Sequence, residues 1–189
     1  MSSHHIVREN QEPALLILHA DAFSYEPISE LLQWSPTVVV TAEALPAVVP
    51  WQFHVDWVLA PEGTPRAEIQ TWVEPMEVGF HFYRTWAAVA GIDLLTARGI
   101  TDVSVFVSEG VDFAPFENGP LRCTLFSGGT RWNHVREGSA FRKWLPDRAR
   151  VSIRGDAAVT EGALAHQTTV GEGWLGLTGR GSFWVGEPW

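Results

Sequence analysis

The chain has 189 residues, 46% of them hydrophobic and 19% charged, with a formal net charge of −9. This length holds one ordinary domain or two small ones with a real core, and the composition excludes a disordered chain. The acidic balance without a basic stripe excludes a duplex nucleic-acid binder, and the sole cysteine, Cys123, excludes an intrachain disulfide or a zinc site of cysteine pairs.

The opening MSSHHIVREN lacks the apolar core of a signal peptide. No apolar run approaches the roughly 20 residues of a membrane span. A cytoplasmic protein with no membrane partner is therefore expected. His4-His5 sits in this polar start and reads as incidental. Ala14–Ala20 (ALLILHA) has strand length, and Asp21 to Tyr25 reads as a loop. Pro27–Trp34 (PISELLQW) predicts a helix, with Ile28, Leu31 and Leu32 on one face. Thr37–Thr41 (TVVVT) is a β-branched block and the next strand. A helix-sized stretch fenced by Pro46 and Pro50 follows, then a strand at His54–Ala60 that stops at Pro61 and Gly63. This order predicts a mainly parallel sheet with covering helices.

Ile69–Val73 (IQTWV) alternates like a strand ended by Pro75, after a polar link at Pro65-Arg66-Ala67-Glu68. Val78–Tyr83 also looks extended, with Phe80 and Phe82 on one face and His81 on the other. Thr85–Arg98 has the clearest helical pattern, with Gly99 suited to the position just past its end. Thr101–Val107 is another alternating strand. From Leu121 onward no helix is predicted. Short strands are expected at Leu121–Phe126, Arg131–Val135, Ala149–Arg154, Ala163–Thr169, Trp174–Thr178 and Ser182–Val185, punctuated by glycines. That pattern suggests a β-sandwich. The seam is Phe113–Pro120, so the expected domains are 1–118 (α/β, Rossmann-like) and 119–189 (all-β sandwich).

In an open parallel sheet, ligands sit at the carboxyl ends of the strands. Those ends fall on Thr41-Ala42-Glu43 and Ala60-Pro61-Glu62-Gly63-Thr64, so Glu43 and Glu62 are the acids to watch, with Asp56 and Asp93 nearby. Paired carboxylates hold Mg²⁺ on a nucleotide, although solvation of a surface explains such acids equally well. Gly171-Glu172-Gly173-Trp174-Leu175-Gly176 matches the dinucleotide fingerprint in text only. It lies in the β half with too few residues after it, and reads as turn glycines. A phosphate site needing a lysine has only Lys143. His134 between Arg131 and Arg136 reads as an exposed charged strand in preference to a phosphate contact. The ten tryptophans are expected in the core and in subunit contacts, with one or two left as candidates to stack on a flat ligand.

The order of parts resembles the thiamine pyrophosphokinase family, in its divergent Bacteroidetes-type form, over roughly residues 14–186. LLILHADAF resembles the opening strand and loop, and PISELLQWSPTVVVTAEAL the helix and strand before the first acidic motif. Val55-Asp56-Trp57-Val58-Leu59 resembles the family's P-D-x-I-[IV]. Arg150-Val151-Ser152-Ile153 and Thr160-Glu161-Gly162-Ala163-Leu164 resemble Q-V-S-I and T-x-G-L, and Gly181 to Val185 resembles the closing strand. The resemblance implies an α/β domain followed by a β-sandwich, a homodimer, transfer of pyrophosphate from ATP to thiamine with Mg²⁺, and a thiamine site shared between subunits.

The departures are concentrated at the acidic motifs. The family's D-G falls on Ala42-Glu43, its G-D-x-D-S on residues 60–64, and its T-D or D-Q pair on Ala87-Ala88. Its G-G-R-x-D-H segment is cut short to Ser108–Asn118, and its asparagine contact to thiamine falls near Thr168-Thr169-Val170. Phosphoryl transfer rests on positioning and on charge neutralised by metal. Three readings follow. The first is a kinase-like scaffold that has lost its catalytic carboxylates and binds thiamine or a related small molecule through His166, Gln167, Thr168 and Trp174. The second is an active thiamine diphosphokinase in which Glu43 and Glu62 hold Mg²⁺ and ATP is the cofactor. The third is a structural dimer without a ligand.

Overall fold

Strands β1 (Ala14–Ile17), β2 (Val38–Thr41), β3 (Trp57–Pro61), β4 (Gly79–Tyr83) and β5 (Asp102–Phe106) lie in the order β4-β3-β2-β1-β5. Every neighbouring pair among them is parallel. The computed structural model describes residues 13–20, 23–34 and 36–189. His4-His5 and the loop residues Asp21 and Ala22 fall outside the described residues. The chain divides into two units, Met1–Arg122 and Cys123–Trp189.

In the first unit β1 and β2 are buried along their whole length. A parallel sheet covered on both faces demands this, which is why these strands are continuous apolar runs. The connecting helices are α1 (Tyr25–Leu32), α2 (Leu45–Val48), α3 (Arg66–Val73), α4 (Ala87–Ala97) and α5 (Ala114–Glu117). The fenced stretch after β2 is shorter than one regular helix: α2 gives way to a 3₁₀ turn at Val49–Trp51. Helix α4 approaches the sheet closely at Gly91. A Cβ there would stand 2.8 Å from Leu16 Cδ2 and 3.3 Å from Leu59 Cδ1. Gly99 follows the helix with φ of 75°, a conformation that glycine adopts without steric cost.

One predicted strand is a helix. Ile69–Val73 belongs to α3, which starts at the link read as a loop. Ile69 and Val73 are its buried residues. Their spacing of i and i+4 puts both on one helical face, and the apparent alternation with Thr71 was incidental. Pro65 occupies the position before the first turn, where its missing N–H costs nothing.

In the second unit β6 (Arg122–Ser127), β7 (Thr130–Val135), β14 (Phe183–Pro188) and β9 (Ser152–Arg154) pair antiparallel in that order. A second antiparallel set runs β10 (Ala157–Glu161), β13 (Gly173–Gly179), β8 (Ala140–Leu145). Val135, Leu145, Val151, Leu175, Leu177, Phe183 and Val185 form one buried cluster drawn from both sets. Ala163–Thr169, expected as a single strand, is a small hairpin of β11 (Leu164–Ala165) and β12 (Thr168–Thr169). His166 and Gln167 make its turn, with φ of 48° and 63°. Two consecutive residues in the left-handed region match the tight hairpin turn that suits strand twist. Among the described residues no helix is long and apolar enough to cross a membrane.

Candidate functional site

All carboxyl ends of the parallel strands in the first unit face one edge. The strand order reverses at β1, since β2, β3 and β4 extend to one side of it and β5 to the other. The switch point between β1 and β5 is where an open sheet leaves a crevice. His19 and Ser108 occupy it. The backbone N–H groups of Leu18 and His19 both donate to Phe106 O, at 3.0 and 3.3 Å. The Ser108 N–H points at His19 Nδ1 at 3.4 Å. His19 belongs to none of the chemistry-bearing motifs in the sequence. A polar ring directly after the first apolar strand was a usable signal, but only the strand order makes it a switch-point residue.

Next along the edge comes the end of β2. The Thr41 hydroxyl is buried, donates to Leu18 O at 2.8 Å and accepts from the Ala44 N–H at 3.2 Å. This fixes the turn that carries Glu43, whose side chain is exposed. Burial first, and then the Glu43 carboxylate, push the Tyr83 hydroxyl above its usual range. Glu43 therefore acts electrostatically on the end of β4.

Glu62 follows β3, and its N–H donates to Tyr83 O at 2.8 Å. Its carboxylate receives Arg84 Nε with both oxygens, at 2.7 and 2.8 Å. Asp56 is engaged earlier in the chain, where Oδ2 accepts the Val38 N–H at 2.8 Å. That contact ties β2 to the approach to β3 and is structural. Among the described residues no three His, Cys, Asp or Glu side chains gather in a group suited to a metal.

The residues expected to hold a small ligand lie in the second unit. His166 and Gln167 are exposed at the hairpin turn. Thr168 bridges to Arg150, and the Gln167 carbonyl accepts the Val151 N–H at 2.7 Å. The neighbouring Thr169 hydroxyl is buried, donates to Pro146 O and accepts from Ala149 N–H. This threonine, missed in the sequence, pins the hairpin to the chain at residues 146–149. Trp174 stands on the outward face of β13, 46% exposed and opposite the equally exposed Trp144 of β8. The Arg142 guanidinium lies 4.2 Å over the Trp174 ring and forms a two-point ion pair with Glu161. Trp174 also borders a cavity of about 30 Å³ with Thr169 and Gly171 to Gly173, about the volume of one water.

Other candidates are structural. Lys143, the sole lysine, is paired to Glu187, which also accepts from Arg131. His134 stacks on Trp184 with ring centroids 4.6 Å apart. The glycine-rich run at 171–176 forms a turn and the start of β13, with no helix behind it.

No protein-family model and no curated protein sequence matches the chain. Solved structures do. A thiamine pyrophosphokinase from Bacillus subtilis superposes with a TM-score of 0.64 at 7% identity, covering 93% of this chain and 98% of that one. A thiamin pyrophosphokinase from Geobacillus thermodenitrificans gives 0.61 at 8%, with coverage of 93% and 97%. A probable thiamine pyrophosphokinase from Staphylococcus saprophyticus gives 0.60 at 9%, with coverage of 93% and 98%. The chain thus shares, over nearly its whole length, the fold of solved thiamine pyrophosphokinases. At these identities the likeness establishes the fold alone.

Proposed function

We propose that this protein is a small-ligand binder built on the thiamine pyrophosphokinase fold, without pyrophosphate transfer. The observation that carries this reading is the contact of Arg84 with Glu62, in which the one Nε–H is shared between both carboxylate oxygens. The family resemblance puts its metal-facing motif on residues 60–64, and Glu62 is the one acid there. Mg²⁺ on a nucleotide takes one or two carboxylates and keeps several waters. A guanidinium on both oxygens puts positive charge where the ion would bind. Glu62 is the single carboxylate there, and among the described residues no three His, Cys, Asp or Glu side chains gather around it, so the donor set does not fit the metal and no transfer step is derived through it.

The proposed ligand is thiamine or a related flat cation, taken up by a homodimer in the cytoplasm. Its contacts are His166, Gln167, Thr168 and Trp174, with the two antiparallel sets of the second unit packed as a sandwich. The cavity beside Trp174 is far smaller than such a molecule, so in this proposal the ligand lies on the open face of β13 and a second copy encloses it. Trp174 is half-exposed with Arg142 over one face of its ring, so a flat cation would stack on the opposite face.

The rival retains the kinase through Glu43 and Glu62. The Glu62–Arg84 pair is exposed and worth at most about 1 kcal/mol, so a metal can compete for it. An assay of AMP release from ATP, thiamine and Mg²⁺ separates the two. The binder reading expects release no faster than in a protein-free control. Thiamine-dependent release that disappears in Glu62→Gln would replace it with the kinase.

A further inference from the structure

We propose that a second cavity, in the first unit and away from the carboxyl edge, binds a small neutral aromatic molecule carrying one hydroxyl group, a phenol in chemical class. The cavity measures about 230 Å³. Leu15 of β1 and Ser104 of β5 form its floor, Leu31 of α1 one wall, and Trp34 and Pro36 its rim. Leu15 and Ser104 are register partners in the parallel pair, so their side chains share one face of the sheet. The site thus lies on the sheet face beside α1, where nothing in the proposed vitamin chemistry acts.

Size, polarity and one hydroxyl select the ligand. An apolar cavity of roughly 150 Å³ takes up benzene, and this one has room for the ring with a substituent. None of the described lining residues is charged. A charged ligand would lose its hydration with no compensating partner. Ser104 is 8% exposed, and among the described residues its hydroxyl has no hydrogen-bond partner. A hydroxyl that opens on the cavity loses its contact with water when the space is filled, and a ligand carrying a hydroxyl restores that bond. Trp34, 67% exposed at the rim, offers a ring face for edge or offset stacking. A purely apolar ligand would fill the space but leave Ser104 unmatched.

The test is titration of the full chain with phenol and with toluene, followed by heteronuclear NMR. Saturable shifts centred on Leu31 and Ser104 are expected with both, and phenol should bind about fivefold tighter, as one added hydrogen bond implies. Ser104→Ala should erase that preference while leaving toluene unchanged. Leu31→Trp, which fills the cavity, should abolish both; should it fail to fold, Ser104→Ala still decides. No saturable binding, shifts centred elsewhere, or a phenol preference that survives Ser104→Ala would overturn the proposal.

Discussion

Two acidic sites in this protein use the same chemistry in opposite settings. At the sheet edge of the first unit, Glu62 and Arg84 meet with side chains 48% and 81% exposed. In the second unit the Glu187 side chain is 10% exposed and faces Lys143 and Arg131, each about 40% exposed. Water competes freely for the first pair, so holding it gains little. Glu187 has given up its hydration, and its two cations both meet Oε2 and offset part of that cost, while Oε1 is buried without a hydrogen-bond partner among the described residues. The difference separates roles. An acid that can change partner cheaply belongs to a site, and one that cannot belongs to the framework. Lys143 is the one lysine a phosphate site could use and reads as a surface lysine in the sequence, and its pairing with Glu187 puts it on the framework side.

The comparison breaks most visibly at Glu187. Glu187→Ala leaves two cations facing each other and should lower unfolding free energy by about 2–3 kcal/mol in urea titrations, somewhat below the cost at a fully buried pair. A loss under about 0.5 kcal/mol would mean that water already solvates the carboxylate. The hairpin of the candidate ligand residues should respond in the other direction. Gln167 holds φ of 63°, and Gln167→Gly removes that strain. A gain of about 0.5–1 kcal/mol is expected in the same titration. Arg84→Ala should change stability by less than about 1 kcal/mol, which makes it a clean partner for Glu62→Gln in ligand experiments.

The smallest effect concerns pH. Hydrogen bonds from Arg142 hold the Glu161 carboxyl below its ordinary value of 4.5. A folded-state value below the unfolded one gives stability that is present above about 4.5 and lost as pH falls through the folded value. In an NMR titration, Glu161 should therefore protonate below pH 4.5 in the native chain and move up toward that value in Arg142→Gln. Titration of Glu161 at the same pH in both proteins would show that the pair is absent in solution.

The same contrast governs what the sequence revealed. The buried strands β1 and β2 were legible because a sheet covered on both faces requires unbroken apolar runs, as in Val38 to Val40, and β5 was legible from the alternation of Val103, Val105 and Val107. Helix α4 was legible from its repeat and from Gly99. Helix α3 was not, since Ile69, Thr71 and Val73 satisfy a two-residue period as readily as a helical one. Strand β8 was passed over because Arg142 and Lys143 interrupt its apolar pattern, each for an ion pair with a distant residue. Strand β10 has mostly exposed residues and left no trace. The hairpin at His166 and Gln167 lacks the Asn-Gly or Gly-Gly usually required by such a turn. Glu43 and Glu62 could be placed at strand ends from the text alone. The hold of Arg84 on Glu62, and the meeting of His19 with Ser108, depend on strand order and register, which local pattern does not carry.

The central claim is that the fold has kept a small-ligand site and given up Mg-ATP. Calorimetric titration of the purified protein with thiamine, and separately with ATP and Mg²⁺, tests it most directly. The account predicts saturable thiamine binding, weakened in Trp174→Ala, and no heat of binding from Mg-ATP. Saturable Mg-ATP binding that is lost in Glu62→Gln would contradict it.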